Sequence, residues 1–125
     1  MQNKKPHLDY KINNVVHKVI YSKNTIDNLK KDIIKIKNQP KILFIYDKNI
    51  NPKITKKFNK IFKPLKNKCY FMPVLGGKHN KDLDLLLKII NILSKQKFTK
   101  NSIIISLGGG VVGDVSSFAA ALYMR

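Results

Sequence analysis

The sequence predicts an α/β fold, a Rossmann-like open sheet with flanking helices, preceded by an N-terminal β-hairpin. Three observations predict it. From residue 42 onward, short apolar runs alternate with amphipathic stretches, the strand–helix grammar of an open sheet. The runs carry apolar residues on both faces, as strands inside a parallel sheet require. The last run is followed at once by three glycines and an alanine-rich segment, a strand-to-helix turn with unusual backbone demands.

Each element follows in order. Residues 8–22 hold two β-branched and aromatic stretches around Asn13-Asn14, which predicts a hairpin. Thr25 opens a helix with Ile26, Leu29, Ile33, Ile34 and Ile36, ending before Gln39-Pro40. Ile42–Tyr46 is a buried parallel strand. Asn51-Pro52 starts a second helix, because proline suits a first turn, and Ile54, Phe58, Ile61 and Phe62 recur at helical spacing. Cys69–Met72 is a strand closed by Pro73. Asp82 starts an amphipathic helix with Leu83, Leu86, Leu87, Ile90 and Leu93 along one stripe. Ser102–Leu107 is a third buried strand. Phe118 to Arg125 reads as helix with no Gly, Asn or Pro to close it. No repeat or linker interrupts the chain, so residues 1–125 are read as one domain, of a size that supports a core without staples.

Composition excludes several classes. No apolar run approaches the ~18 residues that cross a bilayer, and no apolar segment backs the basic N-terminus as in a secretory signal. The single cysteine, Cys69, cannot close an internal disulfide and reads as a core thiol. A reducing cytoplasm is the expected location. The formal charge of +18 comes from 24 lysines and one arginine against seven aspartates, with no glutamate. Lys, Asn and Ile together make up 54 of the 125 residues and share AT-rich codons, so codon drift accounts for the charge. A nucleic-acid binder would concentrate its cations on one face, with arginine and aromatics among them. Here the lysines run from Lys4 to Lys100, so nucleic acid is not the expected partner; a basic RNA-binding module or a degraded remnant stays open as an alternative.

The stretch Ile103-Ile104-Ile105-Ser106-Leu107-Gly108-Gly109-Gly110-Val111-Val112-Gly113-Asp114 carries most of the functional information. Glycines after a buried strand let a diphosphate approach the backbone, and the following helix turns its free N–H groups toward that anion. Gly113 would allow close packing against strand or ligand. The same glycines would also serve a tight turn with no ligand at all. Asp82 and Asp84 sit where a helix start favours acids and are read as capping. His7, His17 and His79 are scattered and are not read as metal ligands.

Gly108–Asp114, followed by the alanine-rich helix and Tyr123-Met124-Arg125, resembles the 3-dehydroquinate synthase family, which uses GGG-V-x-G-D and then Y-M-R-G. Tyr46-Asp47-Lys48-Asn49-Ile50 is similar to its strand–(T/S)-D-x-N-(V/I) segment, and Pro73 with Gly77-Lys78-His79-Asn80-Lys81 to its P-x-G-E-x-x-K loop. The resemblance spans nearly all of this chain and about the first third of the family's length. It implies conversion of 3-deoxy-D-arabino-heptulosonate 7-phosphate to 3-dehydroquinate with loss of phosphate, in the shikimate route to chorismate and aromatic amino acids. A tightly held NAD oxidises and then re-reduces one substrate carbinol, and zinc or cobalt polarises it. The partner implied is a sugar phosphate, with no membrane, and the full-length family is often homodimeric. By the resemblance, Gly109, Gly110 and Val111 hold the NAD diphosphate in a turn completed by Val112 and Gly113. Asp114 lies by the nicotinamide-side ribose, and Asp47 and Asn49 meet the adenosine half. Lys81 contacts nucleotide, and Arg125 reaches the substrate phosphate. Lys78 replaces the family's loop Glu, and Gly76 an Asp two residues before it. The family's metal-binding Glu and two His, in a helical C-terminal domain absent from this chain, lie beyond Arg125, so the chain alone is expected to be inactive. Another sugar-phosphate cyclase or an iron-type alcohol dehydrogenase relative is the alternative within enzymes.

Overall fold

The computed structural model describes residues 7–20, 24–65, 68–78 and 81–124. The chain divides into two compact units, Met1–Lys37 and Asn38–Arg125, where the sequence reads as one domain.

The first unit holds an antiparallel hairpin, β1 (His7–Ile12) and β2 (Val15–Ile20), and helix α1 (Thr25–Ile34). Asn13 and Asn14 both adopt left-handed φ, 48° and 65°, giving the two-residue turn whose twist matches the strands. Tyr10 stacks on His17 across the ladder, with centroids 5.0 Å apart.

The second unit is a three-layer sandwich. Its elements are β3 (Ile42–Asp47), α2 (Pro52–Phe62), a 3-10 turn (Lys63–Leu65), β4 (Cys69–Val74), α3 (Leu83–Lys95), β5 (Ile103–Leu107) and α4 (Gly110–Leu122). The strands are parallel in the order β4-β3-β5, so β3 is central. Its alternating side chains serve two cores. Leu43 and Ile45 pack with Leu86, Ile89 and Leu93 of α3 and Val112, Val115 and Ala119 of α4. Phe44 faces the other way into an aromatic cluster with Phe58, Phe62 and Phe71, at centroid distances of 4.8–5.2 Å. Burying such a side chain stabilises by roughly 1.5–3 kcal/mol, so this strand dominates the fold. Cys69 lies buried, and desolvation pushes its thiol up to about 11, leaving it protonated and inert at neutral pH.

Five sequence expectations change. Strand β4 runs through Pro73 to Val74 rather than stopping before it. The Lys48 amide donates to the Val74 carbonyl, so Val74 faces β3 and Pro73 faces the outer edge, where no donor is needed. The buried stripe of α3 is Leu86, Ile89 and Leu93, while Leu83 and Leu87 are 66% and 48% exposed. This helix is apolar around most of its girth, so periodicity alone does not choose its face. Ile54 of α2 and the edge strand β5 are less buried than expected. Helix α4 closes at Leu122 without Gly, Asn or Pro. The Tyr123 hydroxyl shares its proton between the Leu93 and Phe98 carbonyls, at 3.0 and 3.1 Å, and Met124 turns with φ 50°. No helix among the described residues is long and apolar enough to cross a membrane.

Candidate functional site

Chain order places the site. The chain leaves β3 through α2 to reach β4 on one side, then crosses β3 through α3 to β5 on the other. Successive crossovers that set β4 and β5 on opposite sides of β3 leave a crevice at the carboxyl ends of β3 and β5, where open α/β sheets bind ligands. Asp47 ends β3 and Gly108-Gly109-Gly110 follows β5.

The first glycine is demanded by packing. A Cβ on Gly108 would lie 3.1 Å from Val112 Cγ2 and 3.2 Å from Asp47 Cβ. That turn can press on the end of β3 only without a side chain. Gly109 is the N-cap, with extended backbone and no side-chain cap. The Gly113 amide donates to the Gly109 carbonyl at 3.2 Å, the first bond of the helix. The amides of Gly110, Val111 and Val112 precede that bond and have no partner within the helix. A Cβ on Gly109, Gly110 or Gly113 would meet nothing within 4 Å, so the surface over this turn is bare backbone. A diphosphate fits such a cradle, because it needs N–H donors and close approach. Val112 turns its side chain into the core, so only its amide can serve a ligand.

Two further contacts draw the other candidate residues in. Asp47 Oδ1 accepts the Asn49 amide at 2.9 Å, folding the end of β3 into a local turn. A Cβ on Gly76 would collide with the same carboxylate, its Cγ being 2.8 Å away, so the loop after β4 lies directly on Asp47. Lys81 Nζ meets Asp114 Oδ2 at 2.7 Å, joining that loop to the first turns of α4 across 33 residues of sequence. Both side chains are more than half exposed, so the pair adds little stability. Its effect is positional. Beside it an open groove of about 530 Å³ is lined by Leu83, Leu86, Val115, Ser117 and Phe118. Lys78 is exposed on the same loop. Arg125 and His79 lie outside the described residues. Among the described residues no three His, Cys, Asp or Glu come together in a group that could hold a metal ion.

The sequence reading left Gly108 out of the binding set and noted Gly76 only as a replacement. Both glycines shape the site by making room for Asp47. The signal for Gly108 was its place directly after the strand; Gly76 had no local signal, since its neighbour is 29 positions away.

The model of the 3-dehydroquinate synthase N-terminal domain matches residues 71–125. The 3-dehydroquinate synthase of Clostridium acetobutylicum is 31% identical over 109 residues, 87% of this chain and 31% of that protein. This chain belongs to the 3-dehydroquinate synthase family. The enzymes of that name from Buchnera aphidicola subsp. Cinara cedri and Prochlorococcus marinus strain MIT 9215 are 31% and 34% identical, over 91% and 87% of this chain. The chain spans about 31% of the length of these curated relatives. Two solved structures share the fold. One is a 2-deoxy-scyllo-inosose synthase complexed with carbaglucose-6-phosphate, NAD+ and Co2+, with TM-score 0.74 and 14% identity over 94% of this chain and 32% of that one. The other, of a protein of the same name, gives 0.76 and 15%, over 94% and 33%. Within the 3-dehydroquinate synthase family, this chain's matched segment runs from β4 through α4 and contains both the glycine turn and the Lys81–Asp114 pair.

Proposed function

We propose that this chain is the dinucleotide-binding part of a 3-dehydroquinate synthase, holding NAD at the carboxyl edge of its sheet. The observation that carries the reading is the uncapped start of α4. Three successive amides with no helical partner sit at the switch point, under glycines whose missing side chains leave the space open. Gly109, Gly110 and Val111 would hold the diphosphate, with the Val112 amide behind them. Asp47 and Asn49 would face the adenosine half, and Asp114, oriented by Lys81, the nicotinamide-side ribose. When bound, the dinucleotide supplies removal and return of a hydride at a substrate carbinol; the protein supplies orientation and charge. The whole reaction would convert 3-deoxy-D-arabino-heptulosonate 7-phosphate to 3-dehydroquinate and phosphate, with Arg125 directed to the substrate phosphate through its fork of donors. This cyclisation is chosen over that of 2-deoxy-scyllo-inosose synthase because the relatives at 31–34% identity carry the 3-dehydroquinate name, against 14–15% for the others.

Titration calorimetry of the 125-residue chain with NAD tests the reading. Binding is expected, and Gly110→Val is expected to abolish it. A side chain at 110 meets no protein atom within 4 Å, so far-ultraviolet circular dichroism should stay unchanged. Undiminished binding by a folded Gly110→Val protein would remove the diphosphate from this turn.

A further inference from the structure

We propose that helix α2 is a docking surface for the phosphate backbone of nucleic acid, bound without regard to sequence through Lys53, Lys56, Lys60 and Lys63. None of the four belongs to the dinucleotide site.

Codon drift accounts for how many lysines the chain holds, not for where they stand. From Lys48 to Lys81 the sequence carries ten lysines and no acid. Lys53, Lys56 and Lys60 of α2, and Lys63 at its C-cap, are all exposed. Their spacing of three, four and three residues puts them in a stripe about a quarter of the helix circumference wide. The opposite side of α2 is committed to the core, where Phe58 and Phe62 pack on Phe44. The helices on the other side of the sheet differ. There Asp82, Asp84 and Asp114 stand among Lys81, Lys88 and Lys95, and Lys81 is paired with Asp114. Positive charge therefore gathers on one side of the second unit, as binding to a polyanion demands.

The stripe matches a phosphate backbone in its charge density. It spans about 15 Å of helix axis, roughly one cation per 4 Å, against one phosphate per ~3.4 Å along each strand of a duplex. Helix α2 has no arginine, and its two aromatics are buried, so it neither reads base edges nor stacks on them. An anionic membrane is the poorer fit. A helix at a lipid surface must turn an apolar face into the bilayer, and that face of α2 is already packed on the sheet.

The net charge of +18 attracts any polyanion, so the test must separate the stripe from the field. Fluorescence anisotropy of a labelled DNA duplex of about 16 base pairs, titrated with the 125-residue chain at about 50 to 200 mM NaCl, does so. The logarithm of affinity should fall against the logarithm of salt with a slope of about −3 to −4, the value for four phosphate contacts. Changing Lys53, Lys56, Lys60 and Lys63 together to Gln should reduce that slope by about 3, while changing them to Arg should preserve it. Changing Lys11, Lys88, Lys95 and Lys100 to Gln removes the same charge elsewhere and should alter the slope by less than about 1. Circular dichroism checks that each variant is folded; if the fourfold Gln variant is not, Lys60→Gln alone should lower the slope by about 1. Equal losses in the two fourfold Gln variants would overturn the assignment, because bulk charge and not α2 would then carry the binding. So would a duplex that the unaltered chain leaves unbound, or vesicles of phosphatidylserine and phosphatidylcholine bound more tightly than the duplex.

Discussion

Gly108 shows how one missing carbon can hold a site together. Its absent Cβ lets the β5–α4 turn rest on Asp47 and Val112, which places the bare amides of α4 beside the end of β3. Gly108→Ala would bring atoms to 3.1–3.2 Å on two sides, one of them the buried Val112. A loss of about 1–2 kcal/mol is expected, as for other overpacked positions, read as a lower urea midpoint with an unchanged slope. Gly109→Ala, whose added carbon meets nothing, is the comparison and should lose less, only what alanine costs in place of glycine at the N-cap. A Gly108→Ala midpoint equal to that of Gly109→Ala would mean the turn is not packed as described. Gly108 and Gly109 are adjacent and chemically identical, and only their neighbours distinguish them.

At the scale of elements, the ends of helices decide where functional groups stand. Asp82 caps α3 by accepting the Leu85 amide, and its neighbour Lys81 reaches Asp114. Asp82→Ala should cost about 1 kcal/mol of stability, the usual value of such a cap. Asp84→Ala, which removes an acid from the same first turn without removing the cap, should cost only a few tenths from the helix dipole. Thermal melts of the two proteins side by side check this; equal losses would show that charge rather than capping matters there. The caps at Asn51 and Asp82 were legible in the sequence because capping is local chemistry. The end of α4 was not, because its stop is a hydroxyl reaching carbonyls 25 and 30 residues away. The buried face of α3 was not legible either, since Leu83 and Leu86 are the same residue type and only β3 and α4 choose between them.

For the whole molecule, charge is the dominant long-range term. Twenty-five cations against seven acids leave the chain at +18, and self-repulsion at that charge works against the compact state. Raising NaCl from about 0.01 to 0.3 M shortens the screening length from ~30 Å to well under 10 Å, so the melting temperature should rise by several degrees. A temperature that stays flat or falls would mean that the lysines are already neutralised locally. That repulsion is spread along the chain and sets no fold. The fold is set by β3, whose five apolar residues from Ile42 to Tyr46 carry enough hydrophobicity on both faces to hold a helix layer on each side.

What the sequence determined by itself was whatever depends on neighbours along the chain. The apolar runs defined the strands, two asparagines the hairpin turn, and Asn51-Pro52 and Asp82 the helix starts. The glycine string, read with Tyr123-Met124-Arg125, pointed to the family. Tertiary structure alone decided which of several equivalent residues performs each task. It put Pro73 inside an edge strand, turned the Val112 side chain into the core at the first turn of α4, and brought Lys81 to Asp114. It also covered the Asp47 carboxylate with Gly76. The physical reason is range: turns, caps and strand patterning are fixed within a few residues, whereas burial, close approach and ion pairing depend on segments that only the packed sheet brings together.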